Sequence, residues 1–459
     1  MPRTAGPDPL RFIVPAVPQV PGFALQSSLF RSIPWFWVLV WLVLPGLVVM
    51  LTWPIGGPPM GRYWLGMGAI ALVASQLPWL RVRRLLLSLL TLAMAVVYVS
   101  KTFNITIYNY ELLLPFLLEV KPLRSPDYVI GGAVVLAALV AGWIMVPRVP
   151  RFAGPKPWLL GLLIVLGVTM IDNGATASTA GSYQGLPDPR NPFSSAVRQA
   201  GVEQPGKERR HLVIVLVEAL GNPAGAEERR LFEADWNRPE WRQRYTVTSG
   251  VTPYYGSTTS AEMRELCSQW ADYLTLDIAA ANCLPKRYAA AGYQTTGWHA
   301  FPGWFFSRYQ WWPKLGLAER NFAERTLQAG AKPCGGVFPG ACDNDIPGII
   351  GQRIKDAKQP QLHYWVTLNS HLPVLDDPSL GTTDCDHGGA VLADGPPMLC
   401  RIFVIHHQLA NAITAMAMDP KLPPTDILIV GDHMPPFFQR KARERFDGDK
   451  VPWVFLRAK

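Results

Sequence analysis

Apolar positions along this chain fall into two textures. In the first third they form long, nearly uncharged runs at roughly 34–53, 63–80, 85–100, 128–146 and 158–171. Each has the length or character of a membrane-crossing helix, although the third and fifth are short. Between the third and fourth, 102–120 mixes Asn, Tyr and Glu with leucine and predicts an interfacial helix. From residue 211 the apolar runs shorten and alternate with helical or turn-rich stretches. Residues 211–217, 362–368, 427–430 and 451–456 read as strands; 262–267, 279–291 and 402–416 read as helices. Strand and helix in alternation predict an α/β sandwich around a mainly parallel sheet. The expected layout is an N-terminal segment (1–33), a five-helix transmembrane bundle (34–171), a linker rich in Gly, Ala, Ser, Pro and Gln (172–210), and an α/β domain (211–459).

The formal charge of +9 over 459 residues does not point to nucleic acid, because many of the basic residues flank the apolar runs. The N-terminal segment with Arg3, Arg11 and Arg31, the turn Arg81/Arg83/Arg84, and the connection Arg148/Arg151/Lys156 fall on one side of the membrane. The first opposite connection carries only Arg62, and the second Lys101, Lys121 and Arg124. The positive-inside rule then puts the N-terminus in the cytoplasm and, after five spans, the C-terminal half outside. The first apolar run is too long and starts too late for a cleaved signal peptide. All six cysteines lie after the last run, which suggests disulfides in an oxidising compartment. Pairing of nearest neighbours (267–283, 334–342, 385–400) is the simplest of the fifteen connectivities.

Three stretches carry candidate chemistry. The apolar run ending at Val430 breaks at Gly431, and Asp432 and His433 follow; an adjacent carboxylate and imidazole beyond a buried strand form a metal half-site or a plain surface turn. The 211–217 run leads straight into Glu218, a carboxylate that either faces solvent or needs a cationic partner. Gly256-Ser257-Thr258-Thr259-Ser260 precedes a helical stretch, where hydroxyls cap the helix or, with the helix N-terminus, meet a phosphate. A metal-bound hydroxyl at that point would be an activated nucleophile. The run Asp384-Cys385-Asp386-His387 is a further metal candidate, read more simply as a solvated loop stapled by Cys385.

In this order, a strand ending in Glu, a Gly-x-Thr before a helix and a late strand ending in Gly-Asp-His resemble the alkaline phosphatase/sulfatase superfamily. The closer resemblance is to its membrane-anchored branch of lipoteichoic acid synthases, phosphoglycerol transferases and phosphoethanolamine transferases, with five transmembrane helices, a linker and an extracytoplasmic catalytic domain. It implies an alkaline-phosphatase-like α/β sandwich, metal ligands at Glu218, Asp432, His433 and the Thr258 oxygen, and Thr258 as nucleophile, with Thr259 one residue away as the alternative. His299 and Arg308, followed by Trp312-Pro313-Lys314-Leu315-Gly316, resemble a head-group-binding stretch, which makes both substrate-binding candidates. Asn369-Ser370-His371-Leu372-Pro373 resembles a strand-end Ser-His-x-Pro that brings His371 to the phosphate as hydrogen-bond donor or general acid. The chain departs from these relatives at Ala219, where many carry Ser or Thr, at Phe306, where the synthases carry Trp, and at Ala261-Glu262-Met263, where the phosphoethanolamine transferases carry Pro-Cys-Met. Cys267 resembles the disulfide-rich phosphoethanolamine transferases.

The implied function is transfer of phosphoethanolamine or phosphoglycerol from phosphatidylethanolamine or phosphatidylglycerol to a periplasmic glycan or glycolipid, through a covalent phosphothreonine at a bacterial inner membrane. One nitrogen and three oxygen ligands suit Zn2+, with Mn2+ or Mg2+ tolerated. A sulfatase-like hydrolase is the first rival, against which no Cys/Ser-x-Pro-x-Arg follows Gly256. A non-catalytic membrane assembly partner is the second, against which Glu218, Thr258, Asp432 and His433 are all kept.

Overall fold

The computed structural model describes residues 33–103, 120–177, 192–437 and 439–459. The 102–120 interfacial helix expected from sequence lies almost wholly outside the described residues, as do most of 1–33 and the middle of the 172–210 stretch.

Five apolar helices open the described chain: α1 (Trp35–Thr52), α2 (Gly61–Ala74), α3 (Leu80–Phe103), α4 (Pro126–Met145) and α5 (Pro155–Ala175). Four helices among the described residues, α1 and α3–α5, are long and apolar enough to cross a membrane. The second expected span is helical for only 14 residues, short of the roughly 20 needed to cross. Leu77 and Pro78 follow its end, and the residue before a proline is pushed away from the helical region. In α1 the turn Leu39–Val43 widens to a π-helix just before Pro45, whose missing N–H interrupts the regular ladder. Small residues let the helices approach closely. A Cβ on Gly68 would come within 2.4 Å of Val165, and one on Gly46 within 1.9 Å of Trp64.

Helix α5 runs four residues past the expected end of the fifth span at Ile171, to Ala175, so Asp172 lies in the helix where the sequence suggests the start of the linker. Its fully buried carboxylate accepts hydrogen bonds from the Trp53 and Trp64 indoles (2.9 and 3.1 Å) and the Met60 N–H (2.8 Å). Three donors offset the cost of burying a charge there.

The C-terminal part is built on a seven-stranded sheet: β1 (His211–Val217), β2 (Tyr245–Pro253), β3 (Gln294–His299), β4 (Glu319–Asn321), β5 (Gln361–Val366), β6 (Thr425–Gly431) and β7 (Lys450–Ala458). The spatial order is β2-β7-β6-β1-β5-β3-β4. Strands β6, β1, β5, β3 and β4 are parallel, while β7 and β2 are antiparallel additions at one edge. Strand β1 is apolar throughout because both faces are covered. Val213, Val215 and Val217 enter one core, and Leu212, Ile214 and Leu216 the other. The helices used below are α6 (Ala226–Trp236), α7 (Thr258–Cys267), α8 (Arg308–Leu315), α9 (Ile346–Lys355) and α10 (Pro397–Ala417). Disulfides join Cys267–Cys283, Cys334–Cys342 and Cys385–Cys400, the nearest-neighbour set.

Strand register places the chemistry. Val217 lies opposite Gly431, so Glu218 and Asp432 leave adjacent strand ends together. Leu216 pairs with Val366 and Val366 with His299, which brings the end of β3 to the same edge. The membrane helices meet this part of the chain through Arg443 Nη1 donating to the Gly56 carbonyl (3.2 Å), Lys121 N–H to Val337 O (2.9 Å) and Arg124 Nη1 to Gly336 O (3.2 Å).

Candidate metal and nucleophile site

Glu218, Asp432 and His433 offer three ligand atoms within 4.8 Å of one another. The backbone turns sharply after Glu218, with Ala219 at φ 54°, a left-handed conformation that costs an alanine about 1 kcal/mol. That turn aims the Ala219 N–H at Asp432 Oδ1 (2.8 Å), which also accepts the His433 N–H (2.6 Å). The Glu218 main chain is held on both sides: its N–H donates to Thr367 Oγ1 (2.9 Å), and its carbonyl accepts from Ser370 Oγ (2.7 Å) and faces His406 Nε2 at 3.1 Å. Arg264, buried in α7, donates to the Gly431 carbonyl (2.8 Å) and the Asp432 carbonyl (3.3 Å), which secures the other strand end.

Thr258 opens α7 and stands over this pair of strand ends. Its hydroxyl donates to Glu218 Oε2 at 3.1 Å and lies 3.5 Å from His433 Nε2. The His433 Nδ1 side faces the Met434 carbonyl at 2.9 Å, which leaves Nε2 turned toward Glu218 and Asp432 at 3.6 and 3.2 Å. Thr259 points elsewhere, donating to Asp272 Oδ2 at 2.7 Å. Ser257 is the N-cap residue but makes no side-chain capping bond, so the expected hydroxyl cap is not how this loop is used. Gly256, at φ +74°, makes the turn into the helix, and a Cβ there would press on Ser260 Oγ at 2.8 Å.

The electrostatics favour a cation. Burial raises the Glu218 pKa. Burial, together with the Glu218 charge, pushes Asp432 up to about 7. Burial works against charge on His433 too, but the two carboxylates outweigh it and its pKa rises. Asp432 Oδ2 is buried and makes no hydrogen bond. Two carboxylates, an imidazole nitrogen and a hydroxyl around one point, with Asp432 Oδ2 contacting only His433 Nε2 at 3.2 Å, fit a divalent ion.

His299 and Arg308 sit beside this cluster. The His299 Nδ1 side faces Val366 O at 3.1 Å, and Nε2 lies 3.4 Å from Arg308 Nη1. Burial, then the Arg308 charge, holds the His299 pKa well below its ordinary value. The remaining face of Arg308 is spent on Glu262, whose Oε2 accepts from Nε and Nη2 at 3.1 and 2.9 Å. Trp312 Nε1 donates to the other Glu262 oxygen at 3.0 Å. Phe306 and Ser307, both with positive φ, bend the chain just before Arg308. His371 lies next to Phe338 with its Nδ1 side on the Leu372 carbonyl at 2.7 Å, and burial lowers its pKa to about 4.

Glu218, Thr258, His299, Arg308, His371 and His433 line one cavity of about 450 Å3. Its walls include Phe305, Phe306 and Phe437 from the sheet side and Lys101, Asp127 and Tyr128 from the ends of α3 and α4. Sequence reasoning missed Glu262 as the partner of Arg308, and it missed the contribution of the membrane helices to the cavity. Ion-pair partners on separate elements and walls shared between distant segments leave no local pattern.

No family model matches the sequence, and no curated protein matches it. Among solved structures, the integral membrane lipooligosaccharide phosphoethanolamine transferase A of Neisseria meningitidis superposes with a TM-score of 0.51 at 13% identity, covering 94% of this chain and 88% of that one. The two share a fold. The likeness to the meningococcal transferase takes in both the apolar helices and the α/β part. The lipoteichoic acid synthase of Listeria monocytogenes matches 57% of this chain and 70% of its own, at 15% identity and a TM-score of 0.41. The Streptococcus pyogenes phosphoglycerol transferase in complex with sn-glycerol-1-phosphate matches 59% and 78%, at 12% and 0.36.

Proposed function

We propose that the chain is a metal-dependent transferase that moves phosphoethanolamine or phosphoglycerol from a phospholipid to a glycan or glycolipid acceptor. The observation that carries this reading is the Thr258 hydroxyl, 3.1 Å from Glu218 Oε2 and 3.5 Å from His433 Nε2. It opens into a cavity walled partly by membrane helices. Lipid contact at that wall and an activatable hydroxyl on the floor are what head-group transfer from a bilayer lipid requires.

Glu218, Asp432, His433 and the Thr258 oxygen would hold the ion, with Zn2+ suited to the donor set and Mn2+ or Mg2+ also compatible. When bound it would lower the hydroxyl pKa and neutralise charge on the phosphate. Thr258 Oγ attacks the lipid phosphorus, the P–O bond to diacylglycerol breaks with the departing oxygen taking up the proton that Thr258 gives up, and a phosphothreonine diester remains. Arg308, held by Glu262, lines the cavity that would take the phosphate and supplies positive charge there, and His299 orients it through Nη1. His371 directs its Nδ1 side to Leu372, so its Nε2 is the acceptor end. It suits the base that takes the proton from the incoming acceptor hydroxyl better than the general acid the sequence suggests. The acceptor oxygen then displaces Thr258 and the hydroxyl is regenerated.

The layout this reading calls for is a multi-pass protein of a bacterial inner membrane, in which α2 (too short to span alone) crosses together with its flanking residues, the N-terminus is cytoplasmic and residues 211–459 form the periplasmic catalytic domain. The test is intact-mass measurement of the full-length protein in detergent after exposure to phosphatidylethanolamine or phosphatidylglycerol. A covalent phosphoethanolamine or phosphoglycerol adduct, absent from Thr258→Ala, is the expected result. Wild-type protein that stays unmodified with both lipids while releasing a head group to water would replace the transferase with a hydrolase.

A further inference from the structure

A second cluster of ligand-type side chains lies behind the first, outside the cavity. Asp235 closes α6 and is buried, His407 projects from α10, and His387 comes from the loop that the Cys385–Cys400 disulfide ties to α10. One ligand atom from each lies within 4.8 Å of the other two. His407 Nδ1 is 2.6 Å from Asp235 Oδ1, and the His387 and His407 rings lie 4.9 Å apart between centroids. Among the described residues, neither ring nitrogen of His387 makes a hydrogen bond or ion pair. We propose that Asp235, His387 and His407 form a second divalent-metal site, which clamps the 384–396 loop to helices α6 and α10.

The donor set selects the ion. Two imidazoles and one carboxylate favour zinc and its neighbours in the transition series over magnesium or calcium, which prefer oxygen. Zinc ligands about 2.1 Å from the ion stand roughly 3.4 Å apart in a tetrahedral site. To admit the ion, the His407–Asp235 pair at 2.6 Å opens by somewhat under about 1 Å, and His387 turns inward from a loop that can supply the motion. Arg238 is the competing cation. Its Nη2 lies 3.5 Å from Asp235 Oδ1 and donates to Asn411 Oδ1 at 2.7 Å, while Asn411 Nδ2 in turn meets His407 Nε2 at 3.0 Å. These contacts orient the carboxylate and the ring with no ion present, and a divalent ion takes the place of the proton between Asp235 and His407.

The location gives the clamp a consequence. His406, the preceding residue on α10, faces the opposite way and meets the Glu218 carbonyl at 3.1 Å. Met398, at the start of the same helix, lines the cavity. Fixing the loop against α10 therefore fixes a helix that supports one strand end of the first cluster and one wall of the cavity.

The test uses full-length protein in detergent, stripped with chelator, reloaded with Zn2+ and analysed for zinc per chain. In Glu218→Gln/Asp432→Asn, which disables the first cluster, one zinc per chain remains and Zn2+ raises Tm. Adding His387→Ala and His407→Ala takes the content to zero and abolishes the Zn2+-dependent rise. Equal Tm of the two variants in chelator shows that the histidine changes leave the fold intact. Zinc that is absent from the first variant, or that persists after both histidines are removed, overturns the second site without touching the proposed transferase.

Discussion

Thr258 and Thr259 are neighbours with different partners, one facing Glu218 and His433, the other Asp272. If Thr258 is the nucleophile as proposed, Thr258→Ala should lower head-group release from phosphatidylethanolamine or phosphatidylglycerol by about 10³-fold or more. Thr259→Ala should retain most of it, and equal losses in both would reject the assignment. Glu262 and Arg308 raise a different question, since both are fully buried and paired. Glu262→Ala leaves an uncompensated guanidinium and should destabilise the protein by about 3–5 kcal/mol, read as a fall in Tm. An unchanged Tm would show that His299 and the surrounding carbonyls suffice to hold Arg308. Glu218, Asp432 and His433 were legible as candidates in the sequence because Glu218 follows a buried apolar run directly and the other two follow one across the single break at Gly431, where a polar group is costly without a role. Arg308 was legible as a resemblance only. That its charge is met by Glu262, 46 residues earlier, depends on how α7 and α8 pack.

At the scale of elements, α7 carries more than its length suggests. Its first residue is Thr258, its middle holds the buried Arg264 that reaches the end of β6, and its last residue is the disulfide-bonded Cys267. Replacing Cys267 and Cys283 by alanine should cost about 3 kcal/mol, the expected effect of opening a loop of that size, measured as a drop in thermal stability under non-reducing conditions. Stability of the double variant equal to wild type would make this bond dispensable. Strand β5 carries a buried histidine: His363 accepts from Trp298 Nε1 at 3.0 Å, and its Nε2 side faces Gln361 Oε1 at 2.6 Å. Burial lowers its pKa to about 3 from an ordinary 6.5. The neutral ring's contribution is complete above pH 6.5 and is lost as the pH falls toward 3. Going from pH 7 to pH 5 should cost about 2 kcal/mol through this residue, and His363→Gln should shrink the pH 7-to-5 difference in thermal stability by that amount. An unchanged difference would mean His363 is protonated in place. Of the seven-stranded sheet, β2, β3 and β4 escaped the sequence reading: β4 is three residues long, and the Thr, Ser, Gly and Gln residues of β2 and β3 break the apolar run that marks β1, β5 and β6. Their polar side chains are accommodated by an antiparallel edge and by neighbouring carbonyls, as where Thr295 donates to Gly316 O at 2.7 Å, and neither is written in a strand's own pattern.

For the whole molecule, the two textures in the sequence correspond to the two parts of the fold, and the cysteines agree with the charge pattern on which side the second part faces. A C-terminal alkaline phosphatase fusion should be active in a bacterial host and a C-terminal green fluorescent protein fusion dark; the reverse would put residues 211–459 in the cytosol. The number of crossings was harder to read because α2 is apolar enough to join a bundle and too short to span it unaided. Where the bundle ends was hidden by Asp172, an acidic residue that looks like the start of a linker until three donors from two other segments are found around it.

The shared wall of Lys101, Asp127 and Tyr128 makes the membrane anchor more than a tether. Cut free after α5, the remaining chain would keep Glu218, Asp432, His433 and the Thr258 hydroxyl but would present an open trough where the intact protein has a chamber. Such a fragment should still cleave small water-soluble phosphodiesters while losing its hold on two-tailed lipids in vesicles.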